Sequence, residues 1–173
     1  ALRRELEIPD NNFVIGYIGR FHVMKNIEFL FEAMESVINE NTNVTFLVVG
    51  KDTDRKNLKL KPLYDRLPPQ QVVSLGLRDD IPAVIQCIDL LCLTSVWGEG
   101  FPNVIGEAMA TGTPCVATDI GDSALVIRNT GWIIPPNDGE LLANCIKVAL
   151  SESSLAYNSR SIASQNIIEK NYK

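Results

Sequence analysis

A chain of 173 residues is long enough to form one domain with a sizeable core. Its 46% hydrophobic and 21% charged residues are an ordinary globular balance, and the net charge of -5, from 16 basic and 21 acidic side chains, argues against a broad nucleic-acid footprint, which needs clustered Lys and Arg. No run of about eighteen apolar residues is present, so no membrane-spanning helix is predicted.

Strand and helix patterns alternate along the chain. Phe13 to Ile18 is short, β-branched and aromatic, and stops at Gly19-Arg20, which predicts a buried strand. Asn26 to Asn39 places Ile27, Leu30, Phe31, Met34, Val37 and Ile38 at helical spacing. Val44 to Val49 is a second strand ended by Gly50, and a polar helix is predicted from Asp54 to Arg66, before Pro68-Pro69. The basic stretch Lys51 to Lys61, diluted by Asp52 and Asp54, reads as a solvated face of that helix.

Val72 to Leu75, ended by Gly76, is the third strand, and Asp79-Asp80-Ile81-Pro82 has the acidic cap and early proline of a helix start. A fourth strand over Asp89 to Thr94 leads into a Gly/Pro-rich turn and a helix from Asn103 to Thr111, closed by Gly112. Strands follow over Pro114 to Thr118 and Gly131 to Ile134. Asp138 caps a helix over Glu140 to Leu150, and a weaker helical pattern covers Ser154 to Glu169. Ala1 onward does not read as a secretory leader, and both the first few residues and Asn171-Tyr172-Lys173 read as frayed ends. Cys87, Cys92, Cys115 and Cys145 lack metal-ligand spacing and have apolar neighbours, so reduced core thiols in a reducing cytosol are expected.

Short strands alternating with helices predict an α/β, Rossmann-like, three-layer domain with a parallel sheet of about six strands. Ligands of such sheets bind beyond the carboxyl ends of the strands, at the switch point. That selects the loops Gly19 to Lys25, Gly76 to Asp80, Ser95 to Asn103 and Thr118 to Ser123.

The richest of these is Trp97-Gly98-Glu99-Gly100-Phe101-Pro102-Asn103-Val104-Ile105-Gly106-Glu107. Gly98 and Gly100 permit positive φ and close backbone approach. The first N–H groups of the following helix lack internal partners and can receive a phosphate. Without a ligand, the same layout is an ordinary strand-to-helix turn. Glu99 can accept hydrogen bonds from vicinal hydroxyls. Glu107 is either a surface helix residue or, flanked by Ile105, Ala108 and Met109, a buried carboxylate that needs a partner such as a ribose diol. Arg20 and Lys25 are either two surface cations or a pair aimed at a diphosphate. His22 is the only histidine, a possible donor contact or acid/base but more often incidental in a loop. Gly76 and Leu77 could offer backbone groups to a flat base, whereas Asp79 or Asp80 reads as a helix cap. Dinucleotide and P-loop fingerprints, the Gly-x-Ser-x-Gly hydrolase elbow and the acidic pocket of a receiver domain are missing. Glycosidase carboxylates usually come from separate strands, unlike Glu99 and Glu107.

Taken together, Gly19-Arg20 with Lys25, Gly76 to Asp80, Glu99 to Val104 with Glu107 to Ala110, Gly112-Thr113-Pro114 with Ala117-Thr118-Asp119, and Gly131 to Pro136 carry a resemblance. In that order they resemble the C-terminal, donor-binding domain of retaining glycosyltransferases with two facing Rossmann-like domains. This GT-B architecture belongs to the large family that includes sucrose synthases and bacterial mannosyl- and glucosyltransferases. The resemblance implies that residues 13–170 are one half of such an enzyme, that residues 1–12 are an interdomain linker remnant, and that the N-terminal acceptor domain lies outside this sequence.

It further implies catalytic roles for Arg20, Lys25 and Glu99, the two cations on the donor diphosphate and Glu99 on hydroxyls of the transferred sugar. Gly19, Gly100, Phe101, Pro102, Asn103 and Val104 would line the donor, Leu77 the base, and Glu107 the ribose. A nucleotide-diphosphate sugar would be the co-substrate, with no metal or other cofactor, and the setting would be cytoplasmic, with peripheral membrane association possible through the missing half. Front-face attack, with the leaving diphosphate helping to deprotonate the acceptor, would account for retention without a side-chain nucleophile. Gly121-Asp122 stands where many relatives carry two glycines, which would alter the loop's shape. The alternatives are one half of a nucleotide-sugar epimerase or a non-catalytic nucleotide-sugar-binding module.

Overall fold

In the computed structural model, which describes residues 1–172, the apolar runs pair into one sheet of six strands in the order β3-β2-β1-β4-β5-β6. The strands are β1 (Phe13–Ile18), β2 (Val44–Val49), β3 (Val72–Gly76), β4 (Leu90–Leu93), β5 (Cys115–Thr118) and β6 (Trp132–Ile134). Every pairing is parallel, with β1 in register from Phe13↔Val44 to Ile18↔Val49 and joined to β4 through Ile15↔Leu90. The helices are α1 (Leu2–Glu5), α2 (Ile27–Glu40), α3 (Lys61–Asp65), α4 (Ile81–Cys87), α5 (Asn103–Ala110), α6 (Ser123–Ile127), α7 (Gly139–Ser151) and α8 (Ser154–Asn171).

Alternate residues of each strand face opposite ways, and both directions are apolar. Ile15, Tyr17, Phe46, Val48, Leu90 and Cys92 point into a core closed by α2, α3 and α7. Val14, Leu47, Val49, Leu91, Leu93 and Cys115 point into a second core closed by α1, α4, α5, α6 and α8. Chain direction explains the division. The connections through α2 and α3 step outward from β1 to β3, those through α5 and α6 step the other way, and right-handed crossovers then put them on opposite faces. Cys87, Cys92 and Cys115 are buried, Cys145 is partly so, and all four are free thiols. Burial pushes the Cys92 and Cys115 thiols far above their ordinary range.

Three expectations need correction. The helix predicted over Asp54 to Arg66 is confined to α3, because Asp54 Oδ1 accepts from Lys56 N at 2.9 Å and Asn57 Oδ1 from Lys59 N at 3.0 Å. These local side-chain bonds compete with a helical backbone, and Lys51 to Leu60 is a run of turns, not a helix face. A short helix, α6, follows the Thr118 to Ser123 loop where no element was predicted. The amino end is not frayed: Leu2 and Ile8 are buried in the second core, and Arg3 Nη2 meets Asp89 Oδ2 at 2.9 Å. At the other end α8 includes Asn171, and Tyr172 stacks at a tilt on Phe101, their ring centroids 5.2 Å apart; the rest of the predicted frayed end, Lys173, lies outside the described residues.

Candidate functional site

The strand order reverses between β1 and β4, so the loops that follow these two strands diverge from adjacent points. The loop after β1 is fixed against the end of β2. Gly19 N donates to Val49 O at 2.9 Å and Phe21 N to Lys51 O at 2.8 Å. Gly50, at φ +145, makes this approach possible, since a Cβ there would lie 1.8 Å from Gly19 O. A 3₁₀ turn, Val23–Lys25, follows, and His22 Nδ1 caps it by accepting from Met24 N at 3.1 Å. Asn26 then enters the left-handed region and donates through Nδ2 to Asn137 Oδ1 at 2.7 Å.

The loop after β4 is joined to this turn. Val96 N donates to Met24 O at 2.8 Å, and Thr94 Oγ1 to Lys25 O at 2.6 Å. Lys25 Nζ is ion-paired with Glu99 Oε1, and Ser95 Oγ donates to that same oxygen at 2.7 Å. The Lys25 and Glu99 side chains keep only 17% and 10% of their exposure. Burial alone would raise the Glu99 carboxyl, but the hydrogen bonds from Lys25 and Ser95 and the lysine's charge outweigh it and hold the group below the usual glutamate value. Tyr17, beneath the pair on β1, has its hydroxyl pushed well up by burial, reinforced by Glu99 and Glu28. Its hydroxyl donates to Arg20 O at 3.3 Å. Thr118 Oγ1, at the end of β5, donates to Ser95 O at 2.5 Å.

Beyond Glu99 the chain enters α5 through Pro102, which is extended and supplies no side-chain cap. Among the described residues the N–H groups of Asn103 and Val104 have no partner, so the helix start is open to an anion. Gly98 adopts φ +82 as expected, whereas Gly100 is not in the positive-φ region; its contribution is space, with nothing within 4 Å of where a Cβ would stand. The loop after β5 closes over this turn. Asp122 N donates to Gly100 O at 3.1 Å, and Gly121, at φ +57, sits so close that a Cβ would lie 2.0 Å from Glu99 O.

The structure thus brings Gly19, Lys25, Glu99 and the Gly100–Val104 turn to one end of the sheet. Arg20 is exposed in the same loop as Lys25. Leu77 is 74% exposed after β3. The neighbouring Asp80 occupies the helix-start position expected of it but gives no cap bond, because Arg78 takes both its oxygens, at 2.7 and 2.5 Å. Of the two readings of Glu107 the solvent-facing one holds: it is exposed, since in α5 it lies opposite the core-facing Ile105, Ala108 and Met109. Sequence reading gave no individual role to Thr94, Ser95 and Thr118, all fully buried polar residues at strand ends, although Ser95 and Thr118 open two of the loops it selected. Their own signal was a hydroxyl side chain at the carboxyl end of an apolar strand. A recess lined by Arg3, Asp89 and Tyr157 lies at the amino ends of the strands, away from these loops, and its polar groups bond to one another and to the backbone. Among the described residues no helix is long and apolar enough to cross a membrane.

Residues 12–152 match the family described as glycosyl transferases group 1. The UDP-Gal:alpha-D-GlcNAc-diphosphoundecaprenol alpha-1,3-galactosyltransferase of Escherichia coli is 31% identical over 145 residues, covering 82% of this chain and 37% of that protein. Among solved structures, HepE from Anabaena in complex with UDP-glucose aligns with a TM-score of 0.87 and 28% identity, over 99% of this chain and 48% of that one. A glycosyltransferase from Rickettsia africae, at 23% identity, shares the fold with a TM-score of 0.90 over 99% of this chain and 46% of its own. The chain therefore spans less than half the length of these relatives.

Proposed function

This chain belongs to the glycosyl transferases group 1 family, and we propose that it is the donor-binding half of a transferase that moves a hexosyl group from a nucleotide-diphosphate sugar to an acceptor with retention of configuration. One observation carries the reading. A half-buried Lys25–Glu99 pair stands at the β1/β4 switch point, beside a helix start whose first N–H groups have no partner among the described residues. The open start of α5, Lys25 and the exposed Arg20 together supply the positive field that a leaving diphosphate needs. Glu99 keeps Oε2 clear of described partners and can accept from a sugar hydroxyl there. Glu107 meets the ribose from the solvent side of α5, and Leu77 lies by the base.

Catalysis is then positioning and charge stabilisation. The bond from the anomeric carbon to the diphosphate oxygen breaks, the acceptor oxygen forms its bond on the same face, and the acceptor proton passes to the departing diphosphate. No side-chain nucleophile or metal is invoked. The acceptor is held by the other half of the enzyme, at the cytoplasmic side of a membrane or in solution. The galactosyltransferase relative and the UDP-glucose complex of HepE support a UDP-sugar donor and a product in polysaccharide or glycolipid synthesis. An epimerase would need a free acid/base on the sugar, and His22 already commits Nδ1 to its own turn.

Isothermal calorimetry tests the phosphate assignment. Arg20→Ala and Lys25→Ala should each weaken UDP or GDP binding by about tenfold or more, as loss of a charged hydrogen bond does. Unchanged affinity in both variants would remove it.

A further inference from the structure

Three hydroxyl side chains with no solvent exposure form a circuit around Glu99, and they lie outside every residue so far given a role on the donor. Thr94 and Ser95 follow β4, and Thr118 ends β5. Thr94 binds the Lys25 carbonyl, Ser95 binds Glu99 Oε1, and Thr118 binds the Ser95 carbonyl. Both described contacts of the Glu99 carboxylate fall on Oε1, leaving Oε2 without a described partner.

We propose that Ser95, itself pinned by Thr118, is the positioning residue that holds Glu99 with Oε2 presented to the hexose while Lys25 serves the diphosphate. The inference rests on the donor-binding reading above. Lys25 is a flexible cation for which an incoming diphosphate competes with Glu99. If the lysine turned to phosphate and nothing else held the carboxylate, Glu99 would regain its rotamer freedom as the sugar arrived. Ser95 cannot be drawn away in this manner. It is fully buried, its main chain is tied to β5 through Thr118, and a neutral hydroxyl has no comparable attraction to phosphate. The four-residue step from Ser95 to Glu99 crosses the Gly98 turn, so the donor hydroxyl and its acceptor belong to one compact loop.

The test separates sugar binding from nucleotide binding. The affinities of UDP, GDP and ADP and of their glucose conjugates are measured by calorimetry on the wild-type chain and on Ser95→Ala, Thr118→Val, Thr118→Ser and, as a remote control, Thr130→Val. Thr130 is also buried, but its hydroxyl binds Ile127 O, away from the site. Ser95→Ala should reduce the preference for the sugar conjugate over the bare diphosphate about tenfold, the scale of one hydrogen bond to a charged group, while leaving diphosphate affinity within about twofold. Thr118→Val should lose the same preference in part and Thr118→Ser should restore it, which also covers the case in which Ser95→Ala fails to fold. Thr130→Val should leave the preference intact. Equal loss of both ligands, or no loss, in Ser95→Ala and Thr118→Val would overturn the positioning role and leave the donor-binding reading standing. If the wild-type chain binds none of the six compounds, the donor-binding reading fails and this inference falls with it.

Discussion

Gly121 shows what a single residue contributes to this site. It holds φ +57 beneath the Glu99 and Gly100 carbonyls, while the adjacent Asp122 has an ordinary negative φ at the start of α6. Only the first of the two positions needs glycine, so an aspartate is accommodated at the second. Gly121→Ala combines left-handed strain with a backbone clash and should destabilise the protein by about 2 kcal/mol or more, read as a lower denaturation midpoint, and weaken donor binding with it. Glu99 gives a prediction with a definite sign. Its folded carboxyl titrates lower than an unfolded glutamate, so its contribution to stability is present above roughly pH 4.3 and fades as pH falls through the folded value. The stability gap between wild type and Glu99→Gln, measured by urea melts from about pH 6 down to about pH 3, should narrow on the acid side; a gap that widens there would contradict the depressed carboxyl. The types of these residues were legible in the sequence and their environments were not. Helical spacing could not tell a solvent-facing Glu107 from a buried one, and residue type could not tell that of Gly98 and Gly100, both free to take a positive φ, only Gly98 does.

At the scale of elements, strands were legible where β-branched runs ended in glycine, as β1 and β2 do, because sheet burial on both faces leaves a nearly continuous apolar signature. The stretch before α3 was not, since Asp54 and Asn57 are compatible with a helix by composition and become turn-formers only through bonds to their own neighbours. Five-residue α6 is too short to show a period. The polar helix α8 was weakly legible for a related reason: few of its residues are buried, and specific side chains hold it. Arg160 is the principal one. Its guanidinium sits 4.2 Å above the centre of the Trp132 ring, donates to Thr130 O at 3.1 Å, and forks onto Glu152 from 3.0 Å. Tyr157 adds a 2.8 Å bond to Asp89 O. Arg160→Met should therefore cost about 2 kcal/mol, leaving Glu152 largely buried without its cation, and thermal melts should show the loss. A change below about 0.5 kcal/mol would mean that α8 is held by its few apolar contacts alone.

For the molecule as a whole, the decisive feature is strand order, which no local pattern encodes. Alternating elements implied a parallel sheet, but only the pairing of β1 with both β2 and β4 places the loops after β1 and β4 side by side. That pairing joins Lys25 to Glu99 across 74 residues of sequence. The sheet is covered on both faces by two cores, so the chain carries the means to fold on its own. It should unfold in a single cooperative transition, and a nucleoside diphosphate should stabilise it by mass action. At a ligand concentration of about 100 Kd the gain is about 2.7 kcal/mol, which for a domain of this size corresponds to a rise of roughly 5 to 10 °C in Tm. UDP and GDP are the ligands to compare by scanning fluorimetry. Arg20→Ala, at a tenfold loss of affinity, should cut the rise by about half without lowering the ligand-free Tm, because Arg20 is exposed and serves no described fold contact through its side chain. If Arg20→Ala instead lowered the ligand-free Tm and kept the full rise, its guanidinium would belong to the fold, and the diphosphate would have to be held by Lys25 and the open start of α5.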